Sequence, residues 1–353
     1  MKNKLQNIFE QFQVPGNFKS AKTLVSGYIN QTYMVETIGS QSSDYVLQKL
    51  NHQVFPNIPE LMNNKVKVTD FLRDKTAGKQ IILQFFQTTE GLYYYQDAEG
   101  SYWNLMEYIP NSKVLERTEN AQQAEEAGKA FGNFIKLLDD FDAHDLYEVI
   151  PNFHRMSFRY RQFDDALKTA TEERKQKAAI WIQQVQERRE EMQQLERLLE
   201  QGEIPLRVTH NDTKLSNILF NEKDQAICII DLDTLMPGIV HYDFGDSIRT
   251  ICSYVSEDEP HLDKVGFNME YYQAYLKGFL GELREKLNEK EIELLPLAAK
   301  TITFIMGLRI LTDYLNGDVY YNIKYPEHNL HRASNQLTLV RRMEEAFGGV
   351  AFS

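Results

Sequence analysis

His210, Asp212 and Asn217 stand in the spacing His-x-Asp-x-x-x-x-Asn, and two further acids, Asp231 and Asp233, follow. Asp212 can accept a hydroxyl proton or orient the hydroxyl, with His210 bracing the loop. Asn217 offers a neutral carbonyl oxygen and Asp231 a carboxylate, both hard ligands suited to Mg²⁺. Phosphoryl transfer needs these parts: an acceptor hydroxyl held in line, and cations set against phosphate charge. The elements that must position them are local. Residues 217–220 read as a short strand, 221–225 as a polar turn, and 226–230 as an apolar strand that delivers Asp231 and Asp233 at its end. Nineteen residues separate Asp212 from Asp231, the room one hairpin needs. An isolated Asp or Asn is equally well explained by loop hydrogen bonding. The full spacing, with an apolar strand feeding the second acid, is what points to chemistry. On an extended backbone Asp233 shares a face with Asp231, which leaves both a metal contact and an acceptor contact open to it.

The His-x-Asp-x-x-x-x-Asn spacing matches the catalytic loop of protein kinases and their relatives. Asp243-Phe244-Gly245 spells the kinase metal-binding tripeptide, but it lies 31 residues past Asp212 and no strand leads into it. It reads as a cap or loop brace, with Asp246 opening a helix. The stretches VTHNDTKLSNIL, IIDLDTLMPG, DFGDSIR and DYLNGDVYYNIKYPEHNL resemble the aminoglycoside phosphotransferase and choline kinase superfamily. Within it the chain is most similar to N-acetylhexosamine 1-kinases, and Asn211 stands where aminoglycoside kinases tend to have Gly. The resemblance covers nearly the whole chain. It implies an α+β, bilobal, protein-kinase-like fold with a small antiparallel sheet in the amino-terminal lobe and a mostly helical carboxy-terminal lobe. Residues 1–109 would form the nucleotide-binding lobe and 110–353 the catalytic and substrate lobe, with ATP in the cleft. It further implies ATP and Mg²⁺ as cofactors and the anomeric hydroxyl of an N-acetylhexosamine as acceptor.

In the amino-terminal part, residues 5–12 predict a short helix and residues 22–36 two strands around Gly27. A glycine turn there is either an ordinary β-turn or a cover for nucleotide phosphates. The resemblance, in which a Gly-x-x-Asn-x-Thr-Tyr loop lies here, implies the second, with Gly27, Asn30 and Thr32 at the nucleotide. Residues 44–50 predict the strand where a kinase carries its phosphate-gripping lysine. Gln48 and Lys49 point to opposite faces, so two registers are open, of which one makes Lys49 the nucleotide contact. No partner Glu is evident: Glu60 opens the next helix, 59–74, whose core positions read as Leu61, Val68 and Leu72. Segments 80–87, 91–96 and 102–109 predict the remaining strands. The last leads into a hinge whose backbone, Met106 to Ile109, would pair with adenine, while Met106 and Tyr108 also suit the core.

From residue 118 the pattern turns helical: 120–141, one or two long helices over 161–201, then 269–280, 291–309 and 335–347. Pro296 marks a break or a start within the fourth of these. Arg309 lies on an apolar helix and needs a partner. It can pair with Asp313 one turn on, or face an acceptor; the resemblance implies a sugar-binding Arg and Tyr here, assigned to Arg309 and Tyr320. Tyr314, Tyr321 and Tyr325 add aromatic surface suited to a sugar ring or to the core.

The chain has 353 residues, 42% hydrophobic content and a net charge of −12. The acidic balance argues against a general nucleic-acid binder. Cys228 and Cys252 are the two cysteines and read as buried hydrophobes. The amino terminus is too polar for a signal peptide, and no apolar run approaches the roughly 18 residues that span a bilayer. No Gly-x-x-x-x-Gly-Lys-Ser/Thr loop occurs, which argues against a P-loop enzyme. The expected setting is the cytoplasm, with a small sugar as the partner. Two rivals stay open: a kinase of another small alcohol (choline, homoserine, an aminoglycoside or another sugar), and a nucleotide-binding pseudokinase.

Overall fold

The computed structural model describes residues 2–26, 30–40 and 43–348, so Gly27 lies outside the described residues. The chain divides into two compact units, one of residues 1–114, 140–151 and 218–237, the other of 115–139, 152–217 and 238–353.

The first unit is built on α1 (Lys2–Phe9), β1 (Asn17–Ser26), β2 (Gln31–Ile38), β3 (Tyr45–Leu50), α2 (Ile58–Thr76), β4 (Tyr95–Gln96) and β5 (Tyr102–Glu107). The strands form one sheet in the order β1-β2-β3-β5-β4, antiparallel throughout. Alternation decides its two faces. Tyr33, Val35, Tyr45, Leu47, Trp103 and Leu105 point one way and pack on Leu5, Ile8 and Phe9 of α1. Thr32, Gln48 and Asn104 are paired across β2, β3 and β5 and point the other way. Asn104 Nδ2 reaches Met62 Sδ of α2 at 3.5 Å, so this is the face toward α2.

Asn57 caps α2 by accepting the Glu60 N–H, Pro59 sits in its first turn, and Ala77 ends it in the left-handed region at φ 49°. Its buried stripe holds the expected Leu61, Val68 and Leu72, each contributing about 1.5–3 kcal/mol of burial, and it also holds Lys65. Residues 80–87 do not form the predicted strand. Leu83 and Phe85 are buried alternately, yet ladder pairing is a single bridge, Phe85 to Met106, so the segment only runs beside β5. The ribbon Ile218–Phe220 and Ala226–Ile229 pairs Ile218 with Ile229, and its first strand also pairs with β6 (Lys113–Val114). That pairing groups the ribbon with the amino-terminal residues, where the sequence reading drew one boundary after residue 109.

The second unit is helical. α3 (Ala121–Leu137), capped by Asn120, lies against the helix Met269–Leu283. The approach is close enough that a Cβ on Gly128 would meet the Tyr275 carbonyl oxygen at 2.2 Å, and one on Gly278 the Glu125 oxygen at 2.2 Å. α4 (Met156–Thr169) is followed not by a long helix but by four short ones up to Glu200, because turn-like residues at Ala178, Arg188 and Gln193 let Val185 and Met192 reach the core.

Pro296 starts the helix Leu295–Leu315 rather than breaking one. This 21-residue helix is apolar enough in length and composition to cross a membrane, contrary to the sequence reading, and 78% of its most apolar window is buried in the protein. Its charged positions are few because nearly every face of it packs on other helices.

Candidate functional site

The loop after Thr209 is held by an element the sequence reading started too late. The helix expected from Asp246 runs Val240–Ile251, so Asp243 lies in its first turn. The Asp243 carboxylate accepts the His210 N–H at 2.8 Å and the Asn211 N–H at 2.7 Å. Ser247 Oγ donates to the Thr213 carbonyl at 2.8 Å. Asp243 is thus the brace its position suggested. Asn211 sits at φ 63°, which favours Gly or Asn over other residues. His210 is buried against Phe131 and Phe134, and its Nδ1 accepts the Asp212 N–H at 3.3 Å, so it also braces the loop.

Asp212 emerges from this frame with its side chain 29% exposed. Lys214 Nζ at 2.8 Å and Asn217 Nδ2 at 2.9 Å both bind Oδ2. Burial alone would push this carboxyl up, but the Lys214 charge and hydrogen bond, with His210 and Asn217, hold it below the ordinary carboxylate value. It is therefore ionised near neutrality. Asn217 Nδ2 also reaches the Asp212 carbonyl at 2.8 Å, which turns its own Oδ1 away from Asp212. Lys214 belongs to no motif, and its place two residues beyond the acid is the signal the sequence offers for it.

Burial raises the Asp243 carboxyl to about 6 despite its two N–H donors. A raised folded pKa stabilises the protein below the unfolded value, near 4, and that contribution is lost as pH rises through about 6. Asp243→Asn removes this titration. Its stability relative to the parent is expected to move in its favour by up to about 3 kcal/mol between pH 4 and pH 7.5, read by urea unfolding. A pH-independent difference would remove Asp243 as the titrating group.

In the same unit Arg309 is half-buried. Of the two readings open for Arg309, the pairing with Asp313 does not form. Asp313 instead accepts the backbone N–H groups of Val319, Tyr320 and Tyr321 at 2.8–3.0 Å and Asn329 Nδ2 at 2.9 Å. Arg309 lies over the Phe153 ring at 5.1 Å. Arg159 is bonded to the Phe153 carbonyl and Gln162, and burial, followed by the Arg309 charge, lowers its pKa to about 10. Among the described residues neither arginine has a carboxylate within ion-pair distance. His154 is buried beside them, between Phe153 and Tyr242 and next to the Asn211 backbone, and burial with the two arginine charges holds it well below the usual histidine range. Tyr320 is 67% exposed, edge-on to Tyr321, whose buried hydroxyl has no hydrogen-bond partner among the described residues. His154 and Arg159 carried no motif that sequence alone could flag.

The first unit holds the other acids. Asp231 follows the ribbon at φ 60°, ψ 56° and caps the single turn Leu232–Thr234. Asp233 is buried, with Lys65 Nζ on Oδ1 and Asn30 Nδ2 on Oδ2. Asn30 Oδ1 in turn accepts the Asn51 N–H at 2.9 Å. Thr32 lies on the α2 face of the sheet. Lys49 lies on the opposite face, with its ammonium 5.9 Å from the Trp103 ring centre, which separates it from Thr32 and Gln48. In the expected hinge the Glu107 and Tyr108 N–H groups are bound by the Gln84 and Asp44 carbonyls, Met106 pairs with Val46 and Phe85, and the buried Ile109 carbonyl accepts Ser112 Oγ at 2.7 Å. Among the described residues no three His, Cys, Asp or Glu side chains form a ready metal cage. An oxygen set of one or two carboxylates and an amide fits Mg²⁺, which keeps waters and phosphate oxygens as its other ligands.

An antiparallel sheet with α1 and α2, a helical second unit, and this loop and ribbon define a kinase-like fold. The chain belongs to the phosphotransferase enzyme family that includes the aminoglycoside phosphotransferases, whose profile matches residues 20–288. Ethanolamine kinase of Drosophila melanogaster is 26% identical over 107 residues, a stretch that spans 30% of this chain and only 20% of the relative. Among solved structures, a microcompartment-associated aminopropanol kinase has 16% identity and a TM-score of 0.62, covering 98% of this chain and 97% of that one. A spectinomycin phosphotransferase solved with ADP and spectinomycin has 13% identity and a TM-score of 0.61, covering 98% and 99%. At such identities these structures establish the fold.

Proposed function

We propose that this protein transfers the γ-phosphoryl group of ATP to the anomeric hydroxyl of an N-acetylhexosamine, releasing ADP and the sugar 1-phosphate. Asp212 Oδ1, the oxygen not engaged by Lys214 and Asn217, receives the hydroxyl proton as the new O–P bond forms and the bond to the β-phosphate oxygen breaks. Asn217 Oδ1 and the Asp231 carboxylate are the groups that would hold Mg²⁺, which when bound offsets phosphate charge. Asn217 enters the ribbon at Ile218, and Asp231 leaves it two residues past Ile229, the partner of Ile218. Thr32 and Asn30 remain assigned to the nucleotide, together with Gly27 and those groups of the Met106 to Ile109 backbone that Gln84 and Asp44 do not bind. The geometry gives Lys49 no part in this reading. The supply of ATP and Mg²⁺ makes the cytoplasm the fitting compartment.

The acceptor class rests on one observation: Arg309 and Arg159 lie side by side without acid partners among the described residues, beside a neutral His154 and the exposed Tyr320. Such a cluster repels an ammonium group and offers donors to an amide carbonyl and hydroxyls. A second reading rests on Asp246, whose buried Oδ2 has no hydrogen-bond partner among the described residues while Arg249 binds Oδ1; it would favour a cationic alcohol. An ADP-release assay over N-acetylglucosamine, N-acetylgalactosamine, glucosamine, choline and homoserine separates the two. Turnover is expected with the N-acetylated sugars, and turnover only with the amines would reverse the assignment. Arg309→Ala is expected to raise the acceptor KM about 10–100-fold, the loss of a hydrogen bond to a charged donor, with the ATP KM unchanged. Unaltered sugar kinetics would return Arg309 to a packing role.

A further inference from the structure

β3 presents no lysine toward α2. Gln48 occupies that face, and among the described residues its buried Oε1 has no hydrogen-bond partner, nor does Oδ1 of Asn104 beside it in the pairing. The buried cation comes instead from α2. Lys65, 1% exposed, pairs with Asp233, whose second oxygen is held by Asn30. The preceding residue, Asn64, donates to the Leu235 carbonyl at 2.8 Å and the Tyr147 carbonyl at 2.7 Å. Two successive residues of α2 therefore grip the turn that begins at Asp231, whose left-handed backbone must be held from outside.

We propose that Lys65 is a positioning residue for metal-dependent nucleotide binding. It does so by neutralising Asp233 and fixing the turn, so that Asp231 alone of the two acids is offered to the cation. The inference rests on the reading that Asp231 is a Mg²⁺ ligand. An Asp233 stripped of its ammonium is a buried, unpaired carboxylate two residues from the ligand. It competes for the cation and lets the turn relax. The lysine–acid pair of this unit thus runs from helix to metal turn and leaves the strand lysine, Lys49, on the other face of the sheet.

The test is titration of a fluorescent ATP analogue against Mg²⁺ concentration, with Tm measured on the same samples, for the parent, Lys65→Met, Lys65→Arg and Asp233→Asn. Lys65→Met is expected to need at least 10-fold more Mg²⁺ for half-maximal nucleotide binding, and Lys65→Arg to lie near the parent. Asp233→Asn keeps the side-chain shape and an acceptor oxygen, and is expected to shift the Mg²⁺ midpoint in the same direction by a smaller factor. It carries the test if Lys65→Met does not fold. Folded variants with the parent's Mg²⁺ midpoint, even at a lowered Tm, overturn the proposal, because a purely structural lysine moves Tm alone. A parent that binds the nucleotide equally with EDTA overturns the Mg²⁺ reading itself, and Lys65's role with it.

Discussion

Asp212→Ala is expected to lower kcat by about 10³–10⁴ while leaving the affinity for Mg·ATP within about twofold. In the proposed reaction the carboxylate meets the reacting hydroxyl, so its loss would fall on the transition state rather than on nucleotide binding. Stability should barely change. The Lys214 pair is more than a third exposed on the lysine side, and such pairs are worth about 0–1 kcal/mol. The loop is held by Asp243, Thr213 and Ser247, none of which the substitution touches. Asp212→Asn adds a finer test, because it keeps the shape and the contact with Lys214 yet cannot take a proton near neutrality. If the Asn variant keeps more than about a tenth of parental kcat, Asp212 orients the hydroxyl and is not its base. A pseudokinase predicts no turnover in the parent at all, so the parental assay removes that rival directly.

Asp231 carries the second large effect, and its backbone dictates which substitution can be interpreted. At φ 60° an alanine costs about 1–2 kcal/mol, whereas Asn adopts this conformation readily. Asp231→Ala therefore mixes strain with the loss of a ligand. Asp231→Asn isolates the charge: Tm should stay within about 2 °C. Nucleotide affinity in the presence of Mg²⁺ should fall about 100-fold, the cost of withdrawing one carboxylate from a hard cation. Affinity measured in EDTA should not differ from the parent's. Calorimetric titration with and without Mg²⁺ gives both numbers, and equal losses under the two conditions would take Asp231 out of the metal site.

The placement of Lys65 on the core stripe of α2 was half visible. Leu61, Lys65, Val68 and Leu72 follow helical spacing, and a lysine within an apolar stripe asks for a buried acid. Which acid answers could not be seen, since Asp233 lies 168 residues away. Arg309 shows the same limit from the other side. Its nearest acid in sequence, Asp313, is one helical turn on, but the chain folds back so that residues 319–321 present their N–H groups to that carboxylate first.

The sequence by itself determined what short-range geometry controls. The spacing from His210 to Asn217, the ribbon that ends in Asp231, and the opposite facing of Gln48 and Lys49 all follow from a few consecutive residues and two backbone periods. Only the tertiary structure decided which sheet face α2 covers, and so which of Gln48 and Lys49 lies on it. It likewise decided that Asp233 is neutralised by Lys65, and that Arg159 and Arg309 meet around Phe153 with no acid partner among the described residues. Those outcomes depend on contacts between segments tens to hundreds of residues apart. Burial and charge balance are properties of the packed neighbourhood, which no local pattern encodes.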